Sequence, residues 1–142
     1  MASRERIESQ FEQYKKALNT LEEAIELESH ENSENMKLKI ALRDAGIQRF
    51  EYTFEVLWKL LKRLAEDRDI KSLSPRDSFK AAFKMELIDQ EFEETLVNMI
   101  EKRNLTVHTY KEEIAADIYE FIKNQGIQAF INVKNNIKSY LQ

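Results

Sequence analysis

Arg103 and His108 lie within one short run, Arg103-Asn104-Leu105-Thr106-Val107-His108-Thr109-Tyr110, and both can bring positive charge to a phosphate. Arg103 takes the next place in an apolar helical series that begins Phe92, Leu96, Met99. A guanidinium on such a face cannot shed its proton. It needs an acidic partner, an anion or a route to water. Just beyond it, the β-branched Thr106, Val107 and Thr109 weaken the helix. Thr109 followed by Glu112 has the form of a capping box, so a new helix is predicted to begin near Tyr110. His108 would then precede a helix N-terminus, where free N–H groups and the macrodipole favour an anion. The expected arrangement is one anion-binding pocket on which Arg103 and His108 converge, with the Tyr110 hydroxyl at its edge. The competing reading is purely structural: Arg103 reaching water, His108 packed in a turn and Tyr110 on the rim of the core. If the cation is kept for function, replacing Arg103 by Ala is expected to leave stability almost unchanged.

A second group, Glu51 and Glu55, stands four residues apart on a helix with Arg49 close by. These carboxylates could hold a metal, take part in acid–base chemistry or orient Arg103. They could equally be two solvated acids on an exposed face. A zinc site has too few ligands, because the chain has only His30 and His108 and no cysteine. His30, in an acidic polar stretch, reads as solvated and inert. No Walker loop or Gly-rich phosphate cradle occurs, so an ordinary nucleotide-triphosphate hydrolase site is not expected. Phe50, Phe54 and Trp58 follow helical spacing and read as core, not as a base-stacking platform.

The elements that must position these residues are helices. Ile7, Phe11, Tyr14, Leu18, Leu21 and Ile25 alternate steps of four and three, as do Ile47, Phe50, Phe54, Leu57, Leu61 and Leu64. Between them the polar stretch Glu28–Ser33 reads as a loop, which makes the pair an antiparallel hairpin. Ser74-Pro75-Arg76-Asp77 marks the start of a short helix that presents Phe79 and Phe83. Asp89 is expected to cap the helix carrying Phe92, Leu96 and Met99. A last segment runs through Ile114, Ile118, Phe121, Ile127, Phe130 and Ile137, with Gly126 as a kink or break. The fold class expected is all-α: an up-and-down antiparallel bundle of four main helices plus a short one, a single domain over 1–142.

Composition excludes other classes. With 142 residues, two glycines, one proline and no cysteine, the chain lacks the punctuation of β-sandwiches and Rossmann folds and the thiols of disulfide scaffolds. No apolar run approaches the ~18 residues of a membrane span, and no apolar signal core follows Met1-Ala2-Ser3-Arg4. A soluble, cytoplasmic protein is the expectation. The formal charge is −4. Residues 1–35 hold nine acids against four bases, and residues 36–70 eight bases against six acids. Such a balance argues against duplex DNA and leaves room for a nucleotide or a short RNA.

The run Arg103-Asn104-x-Thr106-x-His108-x-Tyr110 resembles the Arg-x4-His-x-Tyr motif of HEPN-domain proteins. More narrowly, the chain resembles the nucleotidyltransferase substrate-binding protein family, helical partners of minimal nucleotidyltransferases. Gln48 to Glu55, Trp58 to Leu61 and Ser74-Pro75-Arg76 match that family too, in order, over roughly Phe11 to Tyr119. The resemblance implies that Arg103 and His108 correspond to the pair used by HEPN ribonucleases for metal-independent RNA cleavage. It implies that Asn104 is the polar residue that follows the arginine and joins Arg103, His108 and Tyr110 in binding phosphate, and that Tyr110 corresponds to a tyrosine adenylylated in some related toxins. It further implies a homodimer whose two motifs face a shared cleft.

The function expected first is a substrate- or nucleotide-binding subunit paired with a minimal nucleotidyltransferase, in a toxin–antitoxin setting. This chain would carry no cofactor of its own; nucleotide and Mg would come through the partner. The alternative is a HEPN-type endoribonuclease, neutralised or adenylylated by that partner, with Arg103 and His108 catalytic. A helical dimerisation protein without a site is the third.

Overall fold

The computed structural model describes residues 2–32 and 34–142; Met1 and the Ser33 end of the expected loop lie outside the described residues. Among the described residues six α-helices follow in order: α1 (Ala2–Ser29), α2 (Met36–Glu66), α3 (Pro75–Lys84), α4 (Glu93–Leu105), α5 (Glu112–Phe121) and α6 (Ile127–Leu141). Among the described residues there is no strand. Five π-helical residues, Ile122–Gly126, join α5 to α6, so the two form one long helix with a bulge that ends at Gly126, the residue expected to kink or break it. Counted that way, the main helices are four, with α3 as the short fifth.

The two heptad seams form the floor of the core. Ile7, Phe11, Tyr14, Leu18 and Leu21 of α1 are buried against Ile47, Phe50, Phe54, Leu57, Leu61 and Leu64 of α2. Hydrogen bonds fix the directions. Ser3 at the start of α1 donates to Asp67 beyond the end of α2 (2.8 Å), and Arg68 donates to Tyr140 near the end of α6 (3.0 Å). At the opposite end, the Tyr119 hydroxyl of α5 donates to Glu28 of α1 (3.1 Å). Hence α2 and α5–α6 run antiparallel to α1. α4 runs back up along α5–α6, with Asp89 beside Asn132 and Lys102 beside Asp117.

Local signals explain the ends. Ser74 accepts from the Asp77 N–H at 3.1 Å and Pro75 opens α3, as its sequence predicts. With so few glycines, the chain leaves α2 and α3 through Asp69 (φ 60°) and Glu86 (φ 62°), both left-handed. Asp89 does not cap α4. Its carboxylate instead accepts from Asn132 (2.7 Å) and Asn136 (3.1 Å) on α6, so it works as a tertiary clasp. Two side-chain amides on one face of α6 outcompete a single helix N–H for that carboxylate.

Candidate functional site

Arg103 stands on the last turn of α4, and Thr106–His108 form a single 3₁₀ turn directly after it. The Thr106 hydroxyl, in a buried residue, donates to the Arg103 carbonyl at 2.7 Å and accepts from Arg103 Nη1 at 3.3 Å. It closes the helix end that the β-branched residues weaken. Opposite lie the two carboxylates of α2. Arg103 Nη2 is 3.4 Å from Glu55 Oε1, and Nη1 is 3.8 Å from Glu51 Oε2. These separations are longer than the ~2.7–2.9 Å of a tight charge-assisted bond. Arg103 Nε is buried without a hydrogen-bond partner. The guanidinium is therefore steered by its neighbours but not saturated by them.

Glu55 is itself held. Its Oε2 accepts from the Trp58 indole at 3.1 Å, and Lys59 Nζ lies 3.9 Å away. Glu51 and Glu55 are both partly buried, so they are not the freely solvated pair that their spacing also allowed. Arg49 does not join them. It turns to α1 and donates to the Thr20 carbonyl at 2.9 Å, a hairpin tie and not a support for the site. The positions 49 and 51 differ by about 200° around a helix, which sends the two side chains to different faces.

His108 and Tyr110 lie on the outside of the turn. Both are exposed, Tyr110 at 75%, and their rings meet edge-on with centroids 6.0 Å apart. The Tyr110 hydroxyl is 3.5 Å from His108 Nδ1. Asn104 is exposed beside Arg103. The structure thus holds two adjoining groups: Arg103 clasped toward α2 through Glu51, Glu55 and Thr106, and His108 with Tyr110 facing outward. An open depression of about 500 Å³ adjoins them, lined by Asp44, Gln48, Glu51 and Thr109 among others, and its charged lining is acidic.

The helix start expected at Tyr110 lies two residues further on. Thr109 has helical backbone angles (φ −69°, ψ −8°), Lys111 is the N-cap, and α5 begins at Glu112. The Thr109–Glu112 capping box does not form, because the Glu112 carboxylate bridges to Arg43 of α2 instead. That pair holds Glu112 below the usual carboxylate range and raises Arg43. Thr109, Tyr110 and Lys111 therefore stand between His108 and α5, and the anion-binding argument from the α5 N-terminus does not reach the imidazole. Lys102 of α4 bonds Asp117 of α5 at 2.6 Å, so the turn is pinned on both sides.

A profile of proteins described as nucleotidyltransferase substrate binding protein like matches residues 9–139. The chain belongs to this family. A crystal structure from Thermus thermophilus is 31% identical, with a TM-score of 0.68 over 91% of this chain and 98% of that one. A Haemophilus influenzae protein, described as having the fold of a substrate-binding domain of a nucleotidyltransferase, superimposes with a TM-score of 0.80 at 22% identity over 90% of this chain and 98% of that one. A tri-AMPylated HEPN toxin from Shewanella oneidensis, solved in complex with an MNT antitoxin, does so with 0.72 at 21% identity over 94% and 96%. The last two likenesses show the shared fold. No curated protein matches the chain at a significant level.

For this family member, sequence reasoning missed two contributors, Thr106 as the lock on the α4 terminus and Trp58 as the clamp on Glu55. From sequence, Thr106 reads only as a β-branched residue that weakens the helix, and its hydroxyl bonds to Arg103 come from the turn geometry. Trp58 stands three residues after Glu55, a helical-neighbour spacing that offered the signal. Among the described residues no group of three or more His, Asp or Glu could hold a metal ion, and no helix is long and apolar enough to cross a membrane.

Proposed function

We propose that this chain is the helical, substrate-binding subunit of a two-protein nucleotidyltransferase pair, and that it meets nucleotide phosphate through the Arg103–Tyr110 segment. The observation that carries the reading is Arg103 itself. It is a permanent cation, partly buried, gripped only loosely by Glu51 and Glu55, at the root of an exposed turn bearing His108 and Tyr110. An incoming phosphate would exchange with those carboxylates for the guanidinium, with Asn104 and His108 as further donors. The partner would supply the transfer metals, and the exposed Tyr110 hydroxyl is a group such an enzyme could adenylylate. The tri-AMPylated HEPN toxin of Shewanella oneidensis, solved in complex with an MNT antitoxin, supports that chemistry. The bundle is proposed to act as a cytoplasmic homodimer.

The test is to identify a minimal nucleotidyltransferase gene neighbouring this one, co-express the two chains, and follow with pull-down and ATP addition. The reading expects a co-purifying complex and an AMP adduct that Tyr110→Phe removes. No complex and no adduct would overturn it.

The second reading, a metal-independent ribonuclease, rests on the exposed imidazole of His108 beside the Tyr110 hydroxyl. His108 would move the proton of a ribose 2′-hydroxyl and Arg103 would stabilise the charged phosphorane. It expects cleavage of single-stranded RNA in chelator, abolished in His108→Ala while RNA binding persists.

A further inference from the structure

Between α3 and α4 runs a groove of about 240 Å³ that the Arg103–Tyr110 segment does not use. Phe79 and Phe83 of α3 line it from one side, and Leu96, Val97 and Ile100 of α4 from the other. Phe79 and Leu96 are buried and form the floor, whereas Val97 is 42% exposed on its bank. Arg76, Lys80 and Lys84 follow at four-residue steps on α3, each a rise of about 6 Å, and border that floor with a row of cations. All three are exposed, and among the described residues none of them makes an ion pair. Against them the lining sets Glu93 alone among the described residues. On a chain of formal charge −4, the groove is a positive strip over an apolar floor.

Shape and charge together select the occupant. The volume falls below the ~300–1,000 Å³ usual for a small-molecule site and suits an apolar side-chain anchor. A groove between two helices, apolar in its floor and cationic along one bank, complements an amphipathic helix with carboxylates beside its apolar stripe. A second copy of this chain offers the acids without the stripe. Ile7, Phe11, Tyr14, Leu18 and Leu21 of the acidic α1 are already buried in its own core. We infer that the α3–α4 groove receives such a helix from the nucleotidyltransferase subunit; this rests on the pairing proposed above. The position serves that role. Ile100 lies about one helical turn before Arg103 and Asn104, so a subunit seated here lies alongside the turn that carries Tyr110.

The test titrates the full chain with the nucleotidyltransferase subunit of the neighbouring gene by calorimetry. Lys80→Glu/Lys84→Glu is expected to weaken the complex by about tenfold or more, because it sets like charges face to face. Val97→Asp should do the same by placing a carboxylate against the apolar stripe. Lys16→Glu/Lys138→Glu, at exposed sites on α1 and α6, makes the same change in net charge outside the groove and should alter affinity less than about threefold. Thermal melts establish that each variant is folded. Wild-type affinity in either groove variant, or an equal loss in the α1–α6 variant, overturns the docking surface and leaves the pairing intact. Sedimentation of the chain alone gives a further check. If the groove variants turn a wild-type dimer into a monomer, a second copy covers the groove and the inference fails. Failure of the wild-type chain to bind the subunit overturns the pairing and this inference with it.

Discussion

Arg103 has side-chain partners on α2 and Tyr110 has almost none, and their substitutions should separate accordingly. Arg103→Ala leaves Glu51 and Glu55 facing one another without the guanidinium between them. Like charges at this spacing repel, and the lost pairs are partly solvent-screened, so the expected loss is about 1 kcal/mol. That corresponds to a fall of roughly 2–4 °C in Tm for a domain of this size. The geometry thereby replaces the expectation that stability would scarcely change. Tyr110→Phe removes only an exposed hydroxyl whose nearest partner is 3.5 Å away, and its Tm should match the wild type to within about 1 °C. A calorimetric scan of both variants checks the contrast. Equal losses would mean that Tyr110 is structural after all.

Helix propensity gives the wrong sign at one of the two glycines, and the packing explains why. Replacing a helical Gly by Ala ordinarily stabilises by about 0.5–1 kcal/mol. At Gly126 a Cβ would sit 3.5 Å from the Phe121 ring, an ordinary contact, and the backbone is helical (φ −62°). Gly126→Ala should raise Tm slightly. At Gly46, within α2, a Cβ would stand 2.9 Å from Tyr119 Cε1. Tyr119 would have to move, and with it the bond to Glu28 that ties α5 to α1. Gly46→Ala should therefore destabilise by about 1–3 kcal/mol, despite the better helix former. Denaturant melts of the two variants, moving in opposite directions, check the claim.

Across the molecule, two tyrosines make the fold sensitive to alkali. Tyr14 is completely buried and donates to the Phe130 carbonyl at 2.7 Å, joining α1 to α6. Burial, and to a lesser extent Glu22, push its pKa well above the ordinary value. Burial first, then Glu28, does the same for Tyr119. In each case the folded pKa exceeds the unfolded one, near 10. Their contribution is present below pH 10 and is lost as the pH rises from there towards the folded pKa. Unfolding free energy should decline from about pH 10 upward, more shallowly in Tyr14→Phe, which starts from a lower plateau. Urea titrations across that range provide the measurement.

Much of this architecture was legible in the chain. The alternating steps of four and three through Ile7–Ile25 and Ile47–Leu64 defined the hairpin, because heptad spacing has only one packing solution when two such helices are joined by a short loop. Ser74-Pro75 marked α3, and Gly126 marked the bulge. The motif itself made Arg103, His108 and Tyr110 visible as residues. Their surroundings were decided by tertiary structure. Arg43 comes from 69 positions before Glu112 in sequence, and its charge draws that carboxylate away from a local cap. Asn132 and Asn136 do the same to Asp89. Local patterns register the bonds that a residue can make with its neighbours, whereas a stronger partner from a distant helix appears only when the bundle closes. For that reason the sequence determined the helices and the cation on their seam, and the packed bundle alone decided that two carboxylates and an indole would stand beside it.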